Sequence, residues 1–255
     1  MYKQVVILSF FCALCLPVTA YAFGIEIAGG SWYQSPSGDL AYDQISSNDK
    51  LNIEDDLNYK DEFQFSGRLI LDLPMFFPNI YLMVTPMNWD ESGETNSNFS
   101  FGGANFQGNV PFKSKLRMNH IDAALFYGLP FVDTGTAGIL NIDLGLNLRT
   151  VDFKVKIKQS ATSLKESESF LLPIPMAYVG VQLNPFDWLA FEGEGRGIGY
   201  GGDYYYSLIG RLKIKPFGPF FIAGGYRYDD IDIDDHDVLV DASIGGPFAE
   251  VGFEF

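Results

Sequence analysis

Apolar and polar residues alternate at every second position along nearly the whole chain beyond residue 22. In ILNIDLGLNLRTVDF, Leu140, Ile142, Leu144, Leu146 and Leu148 fall on one side, and Asn141, Asp143, Gly145, Asn147 and Arg149 on the other. A helix would scatter both sets around its circumference, whereas a strand separates them cleanly. The same alternation runs through FQFSGRLILDL, LAFEGEGRG and YYYSLIGRLKI. It predicts ten strands, at 23–33, 62–73, 79–89, 115–128, 139–157, 169–183, 188–200, 203–215, 219–229 and 246–255. Short Pro- and Gly-bearing links at 74–78, 130–138, 184–187 and 216–219 alternate with long polar ones at 34–61, 90–113, 158–168 and 230–245, and GGD at 201–203 reads as a tight turn. Pro173 and Pro175 fall inside the sixth strand. Proline donates no ladder hydrogen bond, so either that strand begins near Met176 or a bulge sits there.

A soluble sandwich or a lipocalin-like barrel alternates too, so the period alone does not choose between water and lipid. The order of the links does. Short links on one side and long links on the other are the plan of a transmembrane antiparallel β-barrel, with short periplasmic turns and long outer loops. Aromatic residues gather near the expected strand ends, among them Trp32, Phe76, Trp89, Trp188, Tyr204 and Tyr226. Amphipathic rings favour the two bilayer interfaces. In a closed barrel the last strand, PFAEVGFEF, pairs with the first, FGIEIAGGSWY, and no edge is left free. The reading is an all-β transmembrane barrel of about ten strands, with eight or twelve as alternatives, in the outer membrane of a Gram-negative bacterium. An even strand count puts both ends of the barrel on the periplasmic side.

The first residues change the composition that matters. MYKQ, the apolar VVILSFFCALCLPVTA and the small residues of AYA read as a signal peptide over 1–22, cut after Ala22, which leaves one barrel domain over 23–255. Cys12 and Cys15 both lie in that segment, so the mature chain is expected to hold no disulfide, thiolate metal site or cysteine nucleophile. The formal net charge of −15 argues against nucleic acid as a partner. No later segment approaches the roughly twenty uninterrupted apolar residues of a membrane-spanning helix.

The polar face carries the candidate chemistry. Arg68, Asp143, Arg149, Glu192, Glu194, Arg196, Arg211, Arg227 and Glu250 are expected to line the lumen. Mixed charge inside a narrow barrel either lines a small aqueous pore or forms a salt-bridged plug, and barrels near eight strands have room for little beyond side chains. Asp230, Asp232 and Asp234 in YDDIDIDDHD share one strand face and are a weak candidate for a hard divalent cation; the stretch lacks the glycine and terminal glutamate of a calcium-binding loop, so a solvated acidic face is favoured. His120 and His236 are the two histidines available to a rim hydrolase, where a His–Asp pair would activate water. That reading is weaker, and no enzymatic activity and no cofactor are expected. GIGYGG at 197–202 matches a phosphate-binding spacing, but a strand follows it rather than a helix, so the glycines are assigned to a hairpin. The acidic outer loops are expected to bridge divalent cations to the phosphates of neighbouring lipopolysaccharide.

Two resemblances add to this. Phe255, Phe253 and Val251, with Ala249 in phase behind them, resemble the C-terminal signature read by the barrel-assembly machinery, which implies that machinery as a partner. Gly245-Gly246 in SIGGPFAEVGFEF resembles an uncharacterised family of bacterial outer-membrane β-barrels with a Gly-Gly pair before the final strand. That likeness implies fold and location without an activity. The expected function is a narrow channel or binding barrel for small solutes. The alternative is a structural or surface-interaction barrel with a plugged lumen. The residues define no oligomeric state.

Overall fold

A computed structural model describes residues 23–43, 49–74, 77–235 and 237–255. The expected signal peptide over 1–22, Phe76 and His236 lie outside the described residues. The strands are β1 (Gly24–Tyr42), β2 (Leu51–Asn52), β3 (Glu62–Asp72), β4 (Asn79–Thr85), β5 (Asn88–Gly93), β6 (Phe99–Phe101), β7 (Ala104–Phe106), β8 (Phe112–Gly128), β9 (Leu140–Gln159), β10 (Leu164–Phe186), β11 (Leu189–Tyr200), β12 (Asp203–Phe217), β13 (Phe220–Asp235) and β14 (Val238–Glu254). A single turn of helix, α1 (Pro130–Gly135), occupies one short link. No helix among the described residues is long and apolar enough to cross a membrane.

The wall is a closed ten-stranded antiparallel barrel. Consecutive wall strands pair, and β1 closes the ring against β14 from Glu26↔Glu254 to Tyr42↔Val238. β4 and β5 are one wall strand broken at Pro86-Met87, and both pair with β8. Asn119 patches the break, its side-chain oxygen accepting from the Met87 backbone at 2.8 Å and the Asn88 amide at 2.7 Å.

The two faces of the wall are inverted relative to a soluble protein, and the inversion stops part-way up. At the short-turn end the outward positions are apolar: Leu144, Leu146, Val179, Val181, Leu212, Val251 and Phe253 are all exposed, Leu146 to 75%. Their inward neighbours are charged and sealed, and Arg149 is 0% exposed. Such an exterior suits lipid and not water. Farther out the strands change phase. On β9 the apolar set moves from even positions 144–148, facing out, to Val151, Phe153, Val155 and Ile157, which are buried inside. β14 does the same, with Val251 and Phe253 outside and Val238, Val240, Ala242 and Ile244 inside. The outer half of the molecule is therefore built like a water-soluble barrel standing on a lipid-facing one.

This phase change lengthens the strands beyond their expected bounds. β1 runs on to Tyr42, β13 to Asp235, and β14 starts at Val238, so most of the expected loop at 230–245 and the first part of that at 34–61, residues 34–42, are strand. β9 and β10 likewise absorb most of 158–168. The expected interruption at Pro173 and Pro175 does not occur. β10 is continuous, with both prolines in register with β9 opposite Thr150 and Leu148. Pairing with β11 begins only at Ala177, so the prolines sit where β10 has an unpaired edge that needs no N–H. Gly245-Gly246 is also relocated: it lies within β14 rather than before it. A Cβ on Gly246 would stand 1.7 Å from the Tyr33 carbonyl oxygen, beside Pro247, so the close approach of β1 there requires glycine.

Candidate functional site

The interior is stacked in three zones. The lowest is a vestibule of about 420 Å³ at the short-turn end. Six carboxylates line it, from Glu26, Asp72, Asp143, Glu192, Glu194 and Glu254, and Arg211 is the one cation among the lining residues. Four of these acids are held by ion pairs, whereas Asp72 and Asp143 make none among the described residues.

Above the vestibule lies an ionic layer in two tiers. In the lower tier Arg68 pairs with Glu26 and, at 2.8 Å, with Glu250. Arg211 pairs with Glu194, and with Glu192 at 3.0 Å. Lys213 takes Glu26 at 2.6 Å and Glu192 and Glu254 at 2.9 Å. Arg196 pairs with Glu194 at 2.8 Å and stacks between Tyr81 and Tyr178. In the upper tier Arg149 donates to Asp122 at 2.8 and 2.9 Å and to Asp229 at 3.2 Å. Arg227 pairs with Asp229 at 3.1 Å, donates to Thr85 at 2.9 Å, and lies over the Trp32 ring. Ser207 donates to Asp229 at 2.6 Å and Asn147 to Asp122 at 2.7 Å. Six cations (Arg68, Arg149, Arg196, Arg211, Lys213, Arg227) thus meet seven carboxylates (Glu26, Asp122, Glu192, Glu194, Asp229, Glu250, Glu254) across the lumen, and Lys215, 2.5 Å from Glu254, brings a seventh cation. Each charge is matched, as buried charge in a low-dielectric interior must be.

The outer zone is apolar. Inward side chains of the wall, among them Leu116, Val155 and Ile244, pack with residues from the outer loops. Leu51, Ile53, Leu57 and Tyr59 come from the first long loop, and Phe99, Phe101 and Phe106 from the β6–β7 hairpin. Burial pushes the Tyr59 hydroxyl well above its ordinary pKa. The loops fold into the barrel mouth because their apolar residues have nowhere else to leave water. Phe99 and Phe106 stack at 5.2 Å within this cap. An apolar cavity of about 40 Å³ beneath it, lined by Phe153, Ile174 and Val240 among others, has room for only a few atoms.

All nine residues expected to line the lumen face inward: Arg68, Arg149, Glu194, Arg196, Arg211, Arg227 and Glu250 are buried, and Asp143 and Glu192 line the vestibule. Sequence reasoning missed Glu26, Asp122, Lys213 and Asp229, although Lys213 and Asp229 are in phase with Arg211 and Arg227, which it named. Asp230, Asp232 and Asp234 point outward, and Asp230 accepts from Tyr206 at 2.6 Å and Tyr228 at 3.1 Å. Partial burial, then Asp241 and Asp203, raises the pKa of Asp232. Among the described residues no three His, Cys, Asp or Glu side chains are grouped to hold a metal ion. His120 is not at the outer rim as expected: it is buried in the upper ionic tier, its Nε2 3.1 Å from Arg227 and 3.8 Å from Asp122. Val251, Phe253 and Phe255 are exposed on the outer wall. The GIGYGG glycines end β11 and make the turn into β12, where Gly201 and Gly202 take positive φ.

No family model matches the chain, so the family suggested by Gly245-Gly246 rests on those residues alone. No curated protein matches it either. Among solved structures it is similar to the outer membrane protease OmpT from Escherichia coli, at 10% identity and a TM-score of 0.54, over 93% of this chain and 99% of that one. It also matches the translocator domain of the autotransporter NalP from Neisseria meningitidis, at 11% identity and a TM-score of 0.45, over 99% and 95% of the two chains. At such identities the likeness speaks for fold alone, and the fold is that of a bacterial outer-membrane β-barrel.

Proposed function

We propose that this chain is an outer-membrane barrel that is closed to conduction and binds a small cationic solute in its periplasm-facing vestibule. The observation that carries the reading is the vestibule itself, where Asp72 and Asp143 line an open volume of about 420 Å³ without a paired cation. A compact organic cation would supply the missing charge, and the surrounding Asn79, Asn141 and Gln182 offer hydrogen bonds to orient it. The matched ionic layer and the apolar cap support a solute that enters and leaves from one side.

The test is binding of putrescine to the refolded protein, read by calorimetry against 1,4-butanediol as the uncharged match. Putrescine should bind and the diol should not. Asp72→Asn with Asp143→Asn should weaken the diamine by about tenfold or more, since each removes a close charge in a partly desolvated site. Equal binding of diamine and diol would overturn the cationic reading. A narrow channel is the second reading, favoured by the same vestibule, and it requires the cap loops to leave the mouth. A rim hydrolase has less support, because His120 is sealed inside the ionic layer.

A further inference from the structure

The outer wall above the apolar band is not evenly charged. Three rows cross β5, β8, β9 and β10 in register. Arg117 pairs with Lys154, which pairs with Ser169. Lys115 pairs with Lys156 and Ser167, and Lys113 with Lys158 and Lys165. All of these side chains lie on the outward face, because the intervening Phe112, Leu116, Val155 and Ile157 are buried in the cap. Seven cations thus share one patch in a chain that has 17 Lys and Arg and a net charge of −15. Like charges directly opposite one another in a sheet repel, and here three successive cross-strand pairs on β8 and β9 are Lys–Lys or Arg–Lys.

The chain supplies little to offset this. Asp90 meets Lys115 at 3.3 Å and Asp152 meets Arg117 at 3.2 Å. Lys113, Lys154, Lys156, Lys158 and Lys165 make no ion pair among the described residues. Directly below, one row holds Asn119, Asp152 and Leu171, and the next, with Ile121 and Pro173, begins the exposed apolar band. The array therefore stands at the level where the phosphates of an outer leaflet meet water. The opposite wall is acidic, with Asp39, Asp241 and Asp232 in one row, so the array is not a general feature of the rim.

We infer that this array is a binding site for the phosphate groups of a phosphorylated glycolipid of the outer leaflet, held with its acyl chains along Leu171, Pro173 and Leu148. A doubly phosphorylated headgroup supplies the anions that the cross-strand cation pairs lack, and the apolar rows below take its chains. Arg117 adds a planar fork suited to a phosphate. The contact is direct, and it differs from the divalent-cation bridge expected of the acidic loops. It goes beyond the vestibule reading and stands or falls apart from it.

The experiment uses the whole refolded barrel in a zwitterionic detergent, with diphosphoryl lipid A as the probe and bound lipid counted by native mass spectrometry. Wild-type protein should hold lipid A, and Lys154→Gln, Lys156→Gln and Lys158→Gln together should weaken it about tenfold or more, as three near-surface charges are removed. Dephosphorylated lipid A should bind no better to wild type than to the triple variant. Inorganic pyrophosphate at the same concentration should not displace the lipid, because it lacks the chains. Should the triple variant fail to fold by heat-modified gel mobility, Lys113→Gln with Lys115→Gln on β8 is expected to show the same loss. Unchanged lipid A binding in a folded variant, or equal binding of the dephosphorylated form, would overturn the site. So would full displacement by pyrophosphate, or a wild-type dimer that the lysine changes abolish while lipid binding persists.

Discussion

The inner and outer halves of the barrel are filled by opposite kinds of side chain. Near the short turns, the lumen is crossed by matched charges and the exterior is apolar. Toward the outer mouth, the lumen is filled by aliphatic and aromatic side chains and the exterior is charged. The same strands build both halves by shifting their apolar phase by one residue, as β9 does between Leu148 and Val151. Because the side-chain period of a strand is two, a shift of one exchanges inside for outside along the whole remaining strand. The solvent outside each half dictates the choice. Lipid demands apolar outward residues and leaves polar ones for the interior, and water reverses the assignment.

The ionic half is where a single change does most. Arg149→Ala should leave Asp122 without a paired arginine and Asp229 with Arg227 alone, and destabilise the barrel by about 3–5 kcal/mol. Urea unfolding followed by gel mobility would measure it, and a loss below about 1 kcal/mol would mean that the carboxylates find other partners. Next comes the lipid-facing exterior. Leu146→Arg should cost about 2–4 kcal/mol in a bilayer, since Leu146 is exposed in the middle of the apolar band. The matching change on the same strand above the phase shift, Lys156→Leu, should fall within about 0.5 kcal/mol. Equal effects at the two positions would erase the boundary between the halves. In the cap, Leu57→Ala should cost about 2–4 kcal/mol if the loop is core, and near zero if it is merely resting on the mouth.

How much of this was legible follows from period two. The strand count and closure follow from alternation and from the order of short and long links, and those signals are local. The strand ends were misread because the phase shift looks like the end of a pattern. Val238, Val240, Ala242 and Ile244 keep the alternation but on the other parity from Val251 and Phe253, and taking the two parities as one strand would have extended β14. The apolar residues of the loops, Leu51, Ile53, Leu57, Phe99, Phe101 and Phe106, were also a signal, since a loop meant only for water would hold few of them. The ionic partners were not legible. Asp229 meets Arg149 although β13 and β9 are not neighbours in the sheet, and such a pair is fixed by the curvature of the closed wall rather than by spacing in the chain.

The central claim is that the lumen is closed, and single-channel recording tests it most directly. Refolded protein would be inserted in a planar bilayer, with insertion confirmed separately by protection from protease. The ionic layer and the apolar cap predict a silent membrane for the wild-type chain. Discrete, reproducible conductance steps from the wild type would contradict the account and make the channel reading the correct one.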